Sequence, residues 1–293
     1  MHTPMAFTME LDQFISGERF QALADVSIIP YGNDVGESEC GFVKDQQKNN
    51  NYNAFYYNEN TTKLPPEVQN AKKIFVNTWT LNKFFKYIFP LLENEYVFIS
   101  HNSDISFDTK CEHFLNDKRV IKWYSQNIGI NHPKLFSIPI GLGNQQYPHG
   151  NISLLNSIIQ RNHTKDNLVY KNFSIDTNQS ERCVVNAITA KNNINMYASV
   201  PQHIYFEHLA RSKFVINPKG NGPDCHRVWE CLYLGAIPIL VEHISFSQFK
   251  HLPILFIQDW NDVTVDFLLN KAHTIQSASC YKELDMRHWS SII

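Results

Sequence analysis

One loop in the sequence combines the backbone and side-chain features that bind anions. Residues 218–224 contain two glycines and two prolines, which is typical of a loop, and apolar residues repeat with helical spacing from Asp224 onward. Apolar runs at 214–217 and 237–241 predict buried strands on either side. Asp224 is a candidate N-cap, and Gly235 is placed to end the helix. Because a helix start presents N–H groups and the positive end of its dipole, this unit is suited to phosphate binding.

The charged side chains around this loop point to a nucleotide. Lys219 and Arg227 add positive charge beside the helix start, and the two glycines let a ligand approach the backbone closely. Glu230 lies on nearly the same helix face as Arg227, where its carboxylate could accept hydrogen bonds from ribose hydroxyls. The spacing also fits a sharp strand-to-helix turn with a surface lysine and arginine, and it matches neither the dinucleotide fingerprint nor the P-loop.

Three stretches of the sequence resemble one enzyme family. The stretch 212–240, SKFVINPKGNGPDCHRVWECLYLGAIPIL, resembles the C-terminal motif of exostosin-like glycosyltransferases, and most of all the small soluble versions encoded by large DNA viruses of algae. The shared features are Ser-Lys-Phe before the strand, the glycine loop, the arginine with an acidic residue three positions on, and Leu-Gly-Ala-Ile-Pro. ISHNSD at 99–104 and WYSQNIGINHPKLFSIPIGLGN at 123–144 are also similar to that family.

The resemblance implies an α/β protein of the GT-B fold, in which two Rossmann-like domains with parallel sheets face each other across a cleft. It also implies a nucleotide-sugar donor, expected to be UDP-xylose or a related UDP-sugar, and usually inversion at the anomeric carbon. The acceptor would be a hydroxyl of a glycan or glycoprotein. In the matching stretch, the expected donor-binding residues are Ser212, Lys219, Gly220, Asn221, Gly222, Asp224, Arg227 and Glu230.

The diphosphate that leaves in such a transfer must be stabilised by a metal ion or by fixed cationic groups. Metal-dependent enzymes of the other common glycosyltransferase fold carry Asp-x-Asp, which this sequence lacks, and its histidines do not have paired metal-ligand spacing. We therefore expect neither a metal nor another cofactor. Arg182 is a second candidate phosphate ligand, or else an exposed arginine at a helix start, and Asn172 is a weaker candidate at the end of a strand. Asp224 could be only a helix cap.

An inverting transfer also needs a general base to deprotonate the acceptor hydroxyl. Asp104 is the first candidate because it follows an apolar run, 95–100, that predicts a strand. His101 is the second candidate and Asp34 the third. Asp104 could instead cap the segment that follows it, as Asp often does in loops.

The elements that must position these residues alternate between strand and helix patterns, which favours parallel, doubly wound sheets. Ligands of such sheets bind beyond the carboxyl ends of the strands, where 101–104 and 141–144 are expected. We divide the chain into an acceptor domain, 1–155, and a donor domain, 156–293. Residues 44–63 are expected to form an exposed polar loop, or alternatively an acceptor-side surface, and 178–182 to form a second polar loop.

Composition limits the other classes of function. The net charge of −2 and the lack of a basic stripe argue against nucleic-acid binding. No window reaches the roughly 20 apolar residues of a membrane span, and the start of the sequence lacks a signal-peptide pattern. The six cysteines form no CxxC pair, so we expect a soluble cytoplasmic protein, in the host cytoplasm if viral. The alternative to a glycosyltransferase is a nucleotide- or glycan-binding module without turnover.

Overall fold

The computed structural model describes residues 9–31, 53–161, 163–275 and 281–293. The chain forms two compact units, each built on a parallel sheet. Of the described residues, the N-terminal unit contains those within Ser16–Ile140 and Ser290–Ile293, and the C-terminal unit contains residues 9–15 and those within Gly141–Trp289. The expected mixed α/β class with parallel sheets is therefore confirmed.

The N-terminal unit is organised around a six-stranded sheet whose neighbours are all parallel, in the order β2-β1-β3-β4-β5-β6. The core side chains of this unit are mostly aromatic and branched, and Trp123 packs at its centre against Phe84 and Phe98. The strands are β1 (Val26–Pro30), β2 (Ala54–Tyr57), β3 (Lys73–Val76), β4 (Tyr96–Ser100), β5 (Val120–Ser125) and β6 (Leu135–Ser137).

The helices of the N-terminal unit are short and lie between the strands. A π-helical turn, Phe84–Ile88, directly follows the α-helix that ends at Lys83, and it places Phe84 and Phe85 in the core. The α-helices are α1 (Gly17–Ala22), α2 (Pro66–Gln69), α3 (Leu81–Lys83) and α4 (Glu112–Leu115). The 3₁₀ turns of this unit are Thr78–Thr80, Phe89–Leu91 and Thr109–Cys111.

The C-terminal unit has a four-stranded parallel sheet in the order β10-β9-β8-β7. Its strands are β7 (Asn167–Tyr170), β8 (Ser212–Ile216), β9 (Ile237–Val241) and β10 (Leu255–Ile257). The remaining α-helices are α5 (Ile152–Ile159), α6 (Gln179–Lys191), α7 (Gln202–Arg211), α8 (His226–Tyr233), α9 (Val265–Ala272) and α10 (Met286–Ile292). The 3₁₀ turns are Leu11–Gln13, Asp176–Asn178, Ile244–Phe249, Trp260–Asp262 and Lys282–Leu284.

The two faces of the second sheet are covered by different helices. Phe214 and Ile216 of β8 belong to the core cluster that also holds Val185 of α6 and Leu268 of α9. Side chains alternate along a strand, so Val215 points to the opposite face, where α7 contacts both β7 and β8. None of the helices in the four described ranges is long and apolar enough to cross a membrane.

Three expectations about elements need correction. Residues 54–57 are an edge strand, β2, and not part of a polar loop, because Ala54–Tyr57 pairs in register with β1; the part of that expectation covering 44–52 lies outside the described residues. Residues 178–182 are not a loop, since α6 already begins at Gln179. The helix expected from Asp224 begins at His226, after Cys225 as its N-cap, which makes no side-chain capping bond.

Candidate functional site

The expected strand–loop–helix–strand unit is present in the C-terminal unit as β8, the loop 217–225, α8 and β9. Gly235 ends α8 as expected: its φ is 66°, its N–H donates to Leu232 at 3.2 Å, and the N–H of Ala236 donates to Cys231 at 2.8 Å. This pair of bonds is the Schellman arrangement, which requires a left-handed residue after the helix. The loop therefore leads into a helix, α8, whose C-terminus is capped by a Schellman motif.

Arg227 and Glu230 lie together on α8, and Tyr205 of α7 joins them. The Nε of Arg227 donates to the Tyr205 hydroxyl at 3.0 Å, and this hydroxyl donates to Oε2 of Glu230 at 2.7 Å. The guanidinium also lies 5.6 Å from the Tyr205 ring centre. Glu230 is only 7% exposed, and this burial raises its pKa, against the opposing effects of the Tyr205 hydrogen bond and the Arg227 charge.

This arrangement leaves the outer donors and acceptors of the pair unused. Among the residues that the structure describes, none hydrogen-bonds to Nη1 or Nη2 of Arg227 or to Oε1 of Glu230. The Nε bond to Tyr205 fixes the guanidinium plane, so the two terminal nitrogens form a ready fork for a phosphate group. The pair thus has the geometry expected of a phosphate ligand next to a ribose ligand.

Asn217 provides a further polar group at the base of the loop. Its N–H continues the sheet by donating to Ile239 at 2.9 Å, and alternation places its side chain on the same sheet face as Val215, which α7 covers. The side chain is 1% exposed, yet within the described chain neither Oδ1 nor Nδ2 has a hydrogen-bond partner. A buried amide with no partner costs on the order of 1–3 kcal/mol, so it calls for a ligand or water.

The glycine loop is held from behind by side chains of α6 and the turn before it. Arg182, 6% exposed, donates from Nε to the carbonyl of Lys219 at 3.0 Å and from Nη1 to that of Ser174 at 2.7 Å. Asn178 donates to the carbonyl of Gly220 at 2.9 Å. A Cβ at Gly220 would lie 3.2 Å from Cys225 Sγ and 3.3 Å from Arg182 Nη2, so a larger residue would require these side chains to shift by a few tenths of an ångström.

These contacts change how the loop can meet an anion. The N–H of Gly220 is directed into the loop, toward Cys225 Sγ at 3.1 Å and the carbonyl of Gly222 at 3.1 Å. The N–H of Lys219 donates to Glu181 at 3.3 Å, and its ammonium pairs with the same carboxylate at 3.0 Å. Lys219 and Gly220 therefore have competing partners, whereas Arg227 has an unused fork. The roles expected for Gly222 and Asn221 stay predictions.

Arg182 is not the exposed arginine that the sequence allowed as an alternative. Burial lowers the pKa of its guanidinium, and its ring neighbour is Phe173, with the charge 5.7 Å from the ring centre. Its bonds to two backbone carbonyls describe a residue that holds the loop in place. Its expected direct contact with a phosphate stays a prediction.

Three other expected donor residues have defined local contacts. The carboxylate of Asp224, 5% exposed, accepts a hydrogen bond from the Trp229 indole at 2.8 Å. The hydroxyl of Ser212 donates to His208 at 2.6 Å and accepts from Asn167 at 2.8 Å. Asn172 donates to Ala198 at 2.7 Å. These bonds give each residue a structural role, and their donor-binding roles stay predictions.

His101, in the N-terminal unit, is poorly suited to act as a base. It is 1% exposed and stacks on Phe20 with ring centres 5.4 Å apart. Its Nδ1 accepts the N–H of Asn102 at 2.7 Å, so Nε2 carries the proton and donates to the carbonyl of Pro139 at 3.0 Å. Both ring nitrogens are therefore engaged, and a base must have a lone pair available to its substrate.

Asp104 follows the carboxyl end of β4 as expected, and it is exposed. The local turn is closed by its neighbour, since Ser103 Oγ accepts the N–H of Ile105 at 3.0 Å. The next turn is capped by Asp108, which accepts the N–H of Lys110 at 2.9 Å. The general-base role expected for Asp104 stays a prediction, and Asp34 lies outside the described residues.

Sequence patterns missed the partners that complete the site. Tyr205 is one of several aromatic residues on an amphipathic helix, and only its contact with α8 distinguishes it. The apolar run 214–217 predicts only that Asn217 ends a strand. Trp229 and Tyr233, also on α8, are 0% and 8% exposed and belong to the core.

The C-terminal half of the chain, which contains the candidate site, matches a known family model. Residues 147–291 match the model of the RXYLT1 C-terminal domain, which represents a xylosyltransferase-related family. No curated protein matches the chain significantly. The matched segment contains α7, the glycine loop and α8, and so the Arg227–Tyr205–Glu230 cluster. The C-terminal half of the chain is therefore similar to a xylosyltransferase-related domain, which supports an exostosin- or glycosyltransferase-like family.

Proposed function

We propose that the protein is an inverting glycosyltransferase that transfers xylose, or a related sugar, from a UDP-sugar to a hydroxyl group of a glycan. The observation that carries this proposal is the Arg227–Tyr205–Glu230 cluster beside the glycine loop, within the segment that matches a xylosyltransferase-related model. The GT-B arrangement is part of the same proposal and is supported by the two parallel sheets.

The donor residues divide the work according to their contacts. The fork of Arg227 binds the diphosphate, whose negative charge grows as the bond to the sugar breaks, and the positive end of α8 adds to this stabilisation. Oε1 of Glu230 accepts a hydrogen bond from a ribose hydroxyl, while Tyr205 holds Oε2. Fixed donors of this kind stabilise a leaving group without the cost of reorganisation, and they are proposed to serve without a metal ion.

The acceptor hydroxyl needs a base, and Asp104 is the proposed one. Its carboxylate is exposed at the carboxyl end of a parallel strand, where ligands of α/β sheets bind. An ionised carboxylate can take the proton as the hydroxyl attacks the anomeric carbon, which leads to inversion in a single displacement. Asp104→Asn should lower turnover by at least about a hundredfold while UDP binding is retained.

Thermal unfolding measured with a panel of nucleoside diphosphates and their sugars tests the donor class. UDP and UDP-xylose should raise the melting temperature because they bind only the native protein, and EDTA should leave the rise unchanged. The same samples, supplied with xylosides and other glycans, should release UDP. Stabilisation by UDP without UDP release from any donor would favour a binding module without turnover. Stabilisation that requires a divalent metal would contradict the metal-free mechanism.

A further inference from the structure

His149, in the C-terminal unit, has a ring that its described neighbours hold in place without hydrogen-bonding to its nitrogens. The His149 ring lies parallel to the Tyr147 ring, with centres 5.3 Å apart and a 4° angle between planes. On another side it faces the ring of His226, the first residue of α8, at 5.7 Å. No described residue hydrogen-bonds to either of its ring nitrogens. Both nitrogens thus remain available to a ligand.

The backbone around His149 is built to hold this ring in place. Gly150 N–H donates to the carbonyl of Tyr147 at 2.8 Å, and Gln202 of α7 donates to the carbonyl of His149 at 2.8 Å. A Cβ at Gly143 would lie 2.4 Å from His149 Cδ2, so only glycine leaves room for the ring. This support fixes the ring beside the start of α8, which points to a role in binding.

The side chains around His149 place its ring beside the start of α8. His226 donates from Nδ1 to the carbonyl of Gly141 at 2.8 Å, which fixes its ring at the start of α8, directly before Arg227. The titratable groups on α8 that act on His149 are His226 and Glu230, while Tyr147 stacks on its ring and Gln202 of α7 bonds to its backbone carbonyl. Burial and His226 lower the pKa of His149, and Glu230 opposes this effect.

From this geometry we infer that His149 is a further donor-binding residue, which hydrogen-bonds through a ring nitrogen to the diphosphate of the nucleotide held at Arg227. The inference rests on the proposed function, since it concerns the same ligand. A diphosphate beside the ring favours the imidazolium form, because an opposite charge within a few ångströms stabilises it. Binding of the nucleotide therefore takes up a proton at neutral pH, and the affinity increases as the pH falls from 8 to 6.

Isothermal titration of the full chain tests this inference with UDP, inorganic pyrophosphate and uridine as probes. Titrations in two buffers with different ionisation heats give the number of protons taken up. Wild type should take up protons when it binds UDP near pH 7. His149→Gln should take up fewer protons, and it should bind both UDP and pyrophosphate about tenfold or more weakly. His203→Gln removes an exposed histidine of α7 and should behave as wild type.

The outcomes separate this inference from the function on which it rests. If wild type binds UDP and releases it from a UDP-sugar, but His149→Gln binds UDP with unchanged affinity and proton uptake, the inference is wrong and the function stands. If His149→Gln lowers the affinity for UDP and uridine but not for pyrophosphate, the ring stacks on the base, and the inferred contact with the diphosphate is wrong. If wild type binds neither UDP nor pyrophosphate, both the function and the inference fail.

Discussion

Tyr205 connects the two side chains on which donor binding is proposed to depend. Its hydroxyl accepts from Arg227 and donates to Glu230, so it holds a cation and a carboxylate in fixed positions without a direct salt bridge between them. Burial raises the pKa of this phenol well above its ordinary value, so it remains a hydrogen-bond donor throughout the neutral range. A phenol is suited to this position because it can accept one bond while it donates another.

Removal of that hydroxyl gives the first prediction. Tyr205→Phe should lower the free energy of unfolding by about 1–3 kcal/mol, because the buried Glu230 carboxylate and Arg227 Nε each lose a partner. UDP affinity should fall as well, since both ligand-binding groups become less ordered. Urea unfolding and isothermal titration measure the two effects. Tyr197→Phe, at a tyrosine that is 42% exposed, is the control, and equal effects of the two changes would contradict the role given to Tyr205.

Arg182 and Lys219 allow a comparison between a buried and an exposed cation at the same loop. Arg182→Met should cost about 2–4 kcal/mol, because the carbonyls of Lys219 and Ser174 lose their charged donor. Lys219→Ala should cost less than about 1 kcal/mol, since it removes an ion pair whose lysine is 55% exposed. Hydrogen exchange of the loop amides should accelerate only in Arg182→Met. Faster exchange in Lys219→Ala alone would show that the exposed pair holds the loop.

At the scale of the element, strands with continuous apolar runs and helices with a clear amphipathic pattern were predictable. The strand–loop–helix–strand unit around 214–241 is one example, because its glycine loop and Gly235 carry local signals that the backbone requires. The edge strand β2 was not predictable, since Ala54–Tyr57 lies within a polar stretch and is only partly buried. Edge strands depend on pairing with a neighbour, which a local pattern does not encode.

The proximity of site residues to one another was predictable only where they share one helix. Arg227 and Glu230 lie one turn apart on α8, and their spacing in sequence gives their proximity in space. Tyr205 and His149 come from other elements, and only the packing of the C-terminal unit brings them to this region. Arg182 was a candidate from the sequence, but its bonds to the backbone carbonyls of Lys219 and Ser174 were not predictable. The buried state of His101 was likewise hidden, because it depends on contacts with Phe20 and Pro139.

Lys165 links the stability of α8 to pH. Its ammonium donates to the carbonyl of Leu234, at the end of α8, at 2.7 Å, and burial lowers its pKa from 10.5 to about 8. A lowered pKa for a base means that the unfolded chain binds the proton more tightly than the native protein. The stability contribution of Lys165 is therefore constant below about pH 8 and increases as the pH rises from 8 toward 10.5.

A comparison with Lys165→Met isolates this contribution from other groups that titrate in alkali. The free energy of unfolding of wild type minus that of Lys165→Met should increase by about 1–2 kcal/mol between pH 7.5 and pH 9.5. Urea unfolding at the two pH values measures the change. Lys191→Met, the same substitution at an exposed lysine of α6, is the matched control. A flat difference for Lys165→Met would show that its pKa is close to the ordinary value.

At the scale of the whole molecule, the segment that matches the family model is not a self-contained unit. The C-terminal unit includes residues near the start of the chain: Phe14 and Ile15 are both fully buried. The Phe14 ring lies 4.9 Å from the ring of Tyr233, and the N–H of Ile15 donates to the Tyr233 hydroxyl at 2.9 Å. Tyr233 is the last residue of α8, so the N-terminal segment supports the helix whose other end is proposed to bind the donor.

A substitution in the N-terminal segment, far from the proposed donor site in sequence, should therefore lower the stability of the C-terminal unit. Phe14→Ala should lower the free energy of unfolding by about 3–5 kcal/mol, because it leaves a cavity against Tyr233. Leu11→Ala, in the same segment but at a side chain that is 43% exposed, should cost less than about 1 kcal/mol. A fragment that begins at residue 141, although it contains all of 147–291, should bind UDP more weakly than the full chain, as titration of both proteins will show. If the fragment and the full chain have equal UDP affinity and stability, residues 9–15 do not contribute to the folding of the C-terminal unit.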